Sequence, residues 1–375
     1  MVHAFPPTTN PPDGSFVDSL TMGEGGVLYG TTFNGSGISC PETAGGCGVV
    51  FALTPSGSTY TETVLHRFRG AGEDGAHPIG SLVLGANGTI YGTTEEGGAN
   101  DTGIVYELTP SGKTYSETIL YTFAAGTGFP QSGLLPDSNG NFFGTTYFGG
   151  NGNGSVYELS PAGSGYAEKD LYSFGNPPDG RFPSGIVFGP GGALYGSTSY
   201  GGTQNHGTVF ALTPSQGGYV ETTLASFHFY DGIGPASNLY IDKAGNIYGT
   251  TPTGGRCFGN PCRHSVGVAF KLTATQSGYG LGAAYMFKRE GDGQVPDSPL
   301  VPGAGGALYG TTADSAGEAT NFGALYRLQP SGQGYVETLA LLFPKNLEYP
   351  SNCLIVGPGG SLFGSSQVGV YKITF

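Results

Sequence analysis

The chain has 375 residues, among them 71 Gly, 23 Tyr and 23 Phe but no Trp. Glycine far above the usual ~7%, combined with so many rings, excludes a collagen-like or disordered chain and fits short strands joined by glycine turns. With 14 Lys and Arg against 27 Asp and Glu, the net charge of −13 repels phosphate backbones and anionic lipid heads. No nucleic-acid or membrane partner is therefore expected, and no run of about 18 apolar residues offers a spanning helix.

The N-terminal segment Met1-Val-His-Ala-Phe5 carries neither the basic stretch nor the apolar core of a signal peptide, as in a mature chain whose signal has been removed. From Leu28 onward a short anchor recurs seven times: LYGTT at Leu28, IYGTT at Ile90, FFGTT at Phe142, LYGST at Leu194, IYGTT at Ile247, LYGTT at Leu308 and LFGSS at Leu362. Successive anchors lie 62, 52, 52, 53, 61 and 54 residues apart, and the two long intervals contain the paired cysteines.

Each unit reads as four antiparallel strands. In the second unit these are Ser81-Leu-Val-Leu, the anchor, Gly103-Ile-Val-Tyr-Glu-Leu and Glu117-Thr-Ile-Leu-Tyr-Thr-Phe. Tight turns such as Asn87-Gly88, Asn139-Gly140 and Gly191-Gly192 join the first two strands, and Thr-Pro-Ser-Gly variants at Thr54, Thr109 and Thr213 join the last two. No segment has helical apolar spacing long enough for crossover helices, which excludes a parallel α/β sheet.

The expected fold is an all-β, seven-bladed β-propeller forming one domain over residues 1–375. Its blades fall at about 17–68, 79–123, 132–174, 184–227, 237–287, 298–343 and 352–375. The last unit stops after its third strand, Val370-Tyr-Lys-Ile-Thr-Phe375. The segment Val2-His-Ala-Phe5 matches the ending of a fourth strand, so the N-terminus is expected to complete the last blade and leave no open edge.

Cys40 with Cys47, and Cys257 with Cys262, bracket Gly- and Pro-containing loops at a spacing that suits local disulfides, while Cys353 stands alone in a first strand. Bonded pairs place the protein in an oxidising compartment, outside the cell or on its surface; five reduced thiols are the alternative.

The anchor followed by Gly-Gly, the strand and turn G-x-V-Y/F-x-L-T-P-S-G, the ending L-Y-S-F and the junction D-G-x-x-P together resemble the GloVer tandem-repeat family over essentially the whole chain. The resemblance implies a secreted or surface propeller-type repeat and brings no activity, cofactor or catalytic residue. The junctions Gly126-Thr-Gly-Phe-Pro130 and Asn346-Leu-Glu-Tyr-Pro350 and the two cysteine inserts depart from the pattern.

The links between blades and the loops from second to third strand share one face, which holds nearly all the irregular sequence and is the default binding face. Five links carry Asp-Gly, at Asp13, Asp74, Asp179, Asp231 and Asp292. A ring of carboxylates is one reading; the other is a repeated turn in which Asp caps backbone N–H groups. No Asp-x-Asp-x-Asp loop supports calcium, and no His or Cys spacing supports another metal, so no cofactor is expected, with calcium the alternative that lacks a motif.

Cationic residues gather in adjacent units at Arg181, His206, His228, Arg256, Arg263 and His264, near Tyr230 and Asp231. Arg181, His206, His228, Asp231 and His264 offer the base, the proton donor and the positive charge that a polysaccharide lyase needs. Tyr200, Tyr230, Arg256, Phe258 and Arg263 offer ligand contacts, and Tyr147, Phe148 and Phe229 are further rings for sugar stacking. Glu73, Asp74, Glu95, Glu96 and Asp314 are the carboxylates available to a glycosidase pair. The leading expectation is a propeller that binds a glycan or protein partner through this face. A polysaccharide-cleaving lyase or glycosidase comes next, and an assembly or filament subunit last.

Overall fold

The structure, a computed structural model, describes residues 1–5, 13–41, 45–57, 59–70, 72, 74–112, 114–235, 238–258, 264–288, 293–315, 323–332, 334–344, 350–366 and 368–375. It is all-β: seven blades of four antiparallel strands in a propeller arrangement. Helix among the described residues is limited to single 3₁₀ turns and the short segment Gly149–Gly152.

Blade 2 shows how the repeat builds a sheet. Gly75–Leu84, Ile90–Gly97, Ile104–Ser111 and Thr114–Thr122 pair in chain order. The third strand is covered on both faces through Tyr106 and is correspondingly rich in β-branched and aromatic residues. The fourth alternates exposed and covered positions, as its Thr-Tyr-Ser-Glu-Thr-Ile pattern predicts. The turn Ala86–Gly88 places Asn87 at φ 57, a left-handed conformation that Asn tolerates better than other side chains.

The anchor glycine has a steric reason. A Cβ on Gly92 would sit 2.3 Å from the Tyr106 hydroxyl, and one on Gly196 would sit 2.5 Å from the Phe210 ring. The second strand must present no side chain where the aromatic ring of the third strand lies across it.

Within each unit, a Phe that ends a fourth strand then meets the third-strand ring of the next blade. Phe68 packs on Tyr106 at 5.1 Å, Phe123 on Tyr157 at 5.3 Å, Phe227 on Phe270 at 5.0 Å and Phe287 on Tyr326 at 4.9 Å, all edge-on. These rings are essentially buried, each contributing roughly 2–3 kcal/mol of apolar burial, with edge-to-face attraction added.

The chain divides into two compact units, Met1–Ser173 with Gly357–Phe375, and Phe174–Val356. The first holds blades 1 to 3, and in it the N-terminal strand His3–Ala4 pairs with Gly369–Ile373, His3 opposite Val370. Phe5, 2% exposed, packs on Phe51 at 5.0 Å, taking the place that Phe68 and Phe123 hold in their blades. The second unit holds blades 4 to 6, with first strands that include Gly180–Phe188 and Gly293–Pro296.

The first strands of blades 2, 4 and 6 begin at the glycine of the Asp-Gly junction, and that of blade 1 begins one residue after it, at Ser15. They continue through a residue held at positive φ: Phe16 at 58, His77 at 57, Phe182 at 57 and Val295 at 58. A register irregularity follows further along the strand, as between Ile79 and Val83.

In the blade 1 insert Cys40 and Cys47 are disulfide-bonded, with Cα atoms 5.2 Å apart. Cys262 lies outside the described residues. Cys353 is a buried thiol on the first strand of the last blade. Closing so short a loop is worth up to about 2.5 kcal/mol in chain entropy. The Cys40→Ser/Cys47→Ser double variant is therefore expected to lose no more than that in denaturant unfolding. A larger loss would show that the insert supports the whole of the first unit.

Candidate functional site

Three of the five Asp-Gly junctions are turns whose carboxylates hold backbone. Asp74 accepts the N–H groups of Arg69 at 2.9 Å and Gly75 at 2.7 Å, and Asp179 accepts those of Gly175 at 2.6 Å and Gly180 at 2.7 Å. Asp231 accepts the His228 N–H at 3.3 Å. Asp13 has a buried Oδ1 without a partner, and Asp292 lies outside the described residues.

In the second unit the structure brings several expected residues together on blade 4 and the link that follows it. Arg181 and Tyr200 are opposite each other on neighbouring strands. The Arg181 guanidinium donates to Asn205 Oδ1 at 2.8 Å, and the same oxygen accepts the Gly201 N–H at 3.0 Å, which ties the 201–207 loop to the strand. Arg181 also lies 5.8 Å over the Phe182 ring, which meets Tyr200 edge-on at 5.8 Å. The His206 carbonyl accepts the Gly234 N–H at 2.9 Å, joining this loop to the link that carries His228, Tyr230 and Asp231.

His228 Nδ1 is 3.3 Å from Asp231 Oδ2, with the ring largely exposed. Tyr200 and Tyr230 are 48% and 69% exposed, an unusual outlay of ring surface to water. The Nε of Arg181 and Nδ1 of His206 are buried with no hydrogen-bond partner. Phe229 packs beside Tyr230 at 5.5 Å.

Arg256 is exposed. Phe258 and His264 are paired in a two-stranded ribbon, although their side chains lie outside the description, as does all of Arg263. In the other unit Tyr147 and Phe148 form their own edge-on pair at 4.7 Å.

The first unit holds two groups with a different character. Toward the inner strands, Asp18 accepts the Gly80 N–H at 2.7 Å, and Glu95 receives Gln131 at 3.3 Å. Burial pushes the Asp18 carboxyl up to about 6, the Gly80 N–H opposing it and Glu95 adding to it. Glu95 is raised by burial and then by Glu96. His77, 1% exposed, donates from Nδ1 to the Phe33 carbonyl at 2.9 Å and turns Nε2 toward Glu96 at 3.6 Å. Glu73 lies outside the described residues, and Asp314 is exposed on its strand.

At the outer edge of the same unit, between blades 1 and 2, His66, Asp74 and Glu117 face a pocket of about 590 Å³ that Ile38, Arg67 and Arg69 also line. His66 Nε2 is 3.6 Å from Asp74 Oδ1 and 3.7 Å from Glu117 Oε2. Burial first, and then the Asp74 carboxylate, pushes Glu117 up to about 8.

Sequence reasoning named Asp74 but passed over Asp18, His66, His77 and Glu117. Their signal was internal: His77 stands where other junctions place Phe16, Phe129 or Phe182, Asp18 aligns with Gly80 and Ser132, and His66 aligns with Tyr121.

These features define a seven-bladed repeat propeller with a built loop face. The pattern of the Gloeobacter/Verrucomicrobia repeat family matches residues 16–260, and the chain belongs to that family. No curated protein matches it.

Among solved structures, a catalytically inactive His-to-Ala variant of virginiamycin B lyase from Staphylococcus aureus, with quinupristin, is similar over 99% of each chain, at 16% identity and a TM-score of 0.59. A putative 6-phosphogluconolactonase from Bacteroides uniformis is similar over 87% of this chain and 88% of its own, at 16% identity and a TM-score of 0.54. A Lactobacillus plantarum protein is similar over 96% and 88%, at 11% identity and a TM-score of 0.54. At these identities the likeness is one of fold.

Proposed function

We propose that the protein is an extracytoplasmic carbohydrate-binding propeller whose ligand lies across the loops of blade 4 and the link after it. The observation that carries this reading is the exposed Tyr200 ring opposite Arg181 of the Arg181–Asn205 pair, with a second exposed ring, Tyr230, on the link that follows the blade. Rings supply a face for a sugar, while guanidinium and amide groups supply fixed polar contacts to its hydroxyls. The Cys40–Cys47 disulfide suits an oxidising compartment, and no helix among the described residues is long and apolar enough to cross a membrane.

A second reading, cleavage of the bound chain, draws on the His228–Asp231 pair, a base held by a carboxylate within reach of the same loops. Lyase and lactonase descriptions among the structural neighbours are compatible with it.

A panel of neutral and uronate polysaccharides in affinity electrophoresis, followed by a reducing-end assay, separates the two readings. Retention by one class of polysaccharide is expected, with Tyr200→Ala and Arg181→Ala each weakening it by about tenfold, the effect of roughly 1.4 kcal/mol. Retention unchanged in both variants, or no retention at all, would remove this face as the binding site. Release of reducing ends that His228→Ala abolishes would establish cleavage instead.

A further inference from the structure

The fourth-strand residue two places before the terminal Phe meets the Glu of the next blade's fourth strand. The Tyr121 hydroxyl donates to Glu168 at 3.1 Å, and His3 Nε2 lies 3.3 Å from Glu62. Such pairs are architectural. At the junction of blades 1 and 2 a third donor joins, because Asp74, whose carboxylate is positioned by the Arg69 and Gly75 N–H groups, turns Oδ1 to within 3.6 Å of His66 Nε2.

One nitrogen and two carboxylate oxygens then lie within 4.8 Å of one another, the only such three-donor group among the described residues. His66 Nε2 and Glu117 Oε1 are buried with no hydrogen-bond partner. The His66 ring is fixed edge-on against the buried Phe68 at 4.6 Å. Separations near 3.6 Å are too long for hydrogen bonds, yet close to the spacing of atoms that share a cation at about 2.1 Å from each.

We propose that His66, Asp74 and Glu117 form a site for a first-row divalent cation of the zinc class, joining the outer strand of blade 1 to that of blade 2. One imidazole and two carboxylates are a borderline donor set, better suited to such an ion than to calcium, which takes about 6 to 8 oxygens. Three protein ligands leave coordination positions open, and these face the 590 Å³ pocket. Arg67 and Arg69 line the same pocket. Arg69 is exposed, so solvent screens its repulsion, and both guanidinium groups favour an anionic oxygen ligand in the open positions. Asp74 thereby serves as turn residue and ligand at once, with Gly75 and Arg69 as the groups that orient it.

Isothermal titration of the metal-free full chain with Zn²⁺ tests the site. One ion per chain is expected. Affinity should fall by at least about tenfold in both His66→Ala and Glu117→Gln, and stay unchanged in His3→Ala, which alters the equivalent two-donor pair. Zn²⁺ should also raise the melting temperature of the wild type and not that of Glu117→Gln, a readout that holds if His66→Ala folds poorly. No saturable uptake by the wild type would overturn the assignment, as would equal affinity in Glu117→Gln. So would a loss confined to His3→Ala, which would put the ion at another junction. None of these outcomes touches polysaccharide retention by the blade 4 loops.

Discussion

Gly80→Ala is expected to destabilise the protein by more than about 4 kcal/mol, whereas Gly112→Ala, at the same backbone angle, should cost only about 1 to 2 kcal/mol. Both glycines have φ +67. Around Gly112 a new Cβ would meet nothing within 4 Å. At Gly80 it would lie 1.9 Å from the Gly133 nitrogen and 2.5 Å from its Cα. That neighbour is backbone just ahead of the first strand of the next blade, Leu135–Pro136, so no rotamer change relieves the overlap. The adjacent inner strands would have to separate, and the 2.7 Å bond from the Gly80 N–H to Asp18 would go with them. Denaturant unfolding of the two variants side by side isolates the steric part, since the conformational strain is common to both. Equal midpoints would mean that the inner strands yield easily and are not closely packed.

The second large effect concerns pH. Burial pushes the Asp297 carboxyl up to about 7, against the opposing N–H groups of Asp297 itself and Ser298, and its Oδ1 is buried without a partner. Between about pH 4 and pH 7 the unfolded chain therefore gives up a proton that the folded chain retains. Stability falls as pH rises through that window, by roughly 4 kcal/mol in all from this group, and the full benefit is present only below the unfolded value. Asp18, pushed up to about 6, and Glu117, up to about 8, act in the same direction over their own windows.

Asp297→Asn carries no charge at any pH. Its unfolding midpoint should decline less steeply from pH 4 to pH 8 and exceed that of the wild type at pH 8. A slope identical to the wild type would show that water reaches the carboxylate and solvates it. The buried Tyr326 hydroxyl, raised well above its ordinary value by burial and then by Asp297 and Glu337, shows how poor that surrounding is for charge.

Much of the fold was legible because it is written seven times. The anchor glycine, the ring opposite it and the terminal Phe recur at fixed spacing, and a repeated steric requirement leaves a repeated letter, as Gly92, Tyr106 and Phe68 show. The two chain ends were legible for the same reason, Phe5 being the missing seventh copy of that Phe. The bond between Cys40 and Cys47 followed from their separation along the chain. The Asp-Gly turns were legible as one of two readings, and the hydrogen bonds of Asp74 and Asp179 decide between them.

Sites were harder to see, because a site departs from the repeat at one residue and draws on several blades. His206, His228 and Arg181 stood out as cations in an acidic chain, and their segments are tied together by the Arg181–Asn205 bond and by the bond from the Gly234 N–H to the His206 carbonyl. His66 looked like any fourth-strand residue until Glu117, 51 positions further on in sequence, came to face it.

The sequence by itself determined the strand order, the number of blades, the closing strand and the face that carries the variable loops. Each of these follows from local turn chemistry and from sterics between repeats whose spacing is constant. Tertiary structure alone decided which carboxylates are desolvated and which side chains converge. Burial and the approach of charged groups depend on distances across blades, as between His66 and Glu117 or Asp18 and Gly80, and no local pattern encodes them.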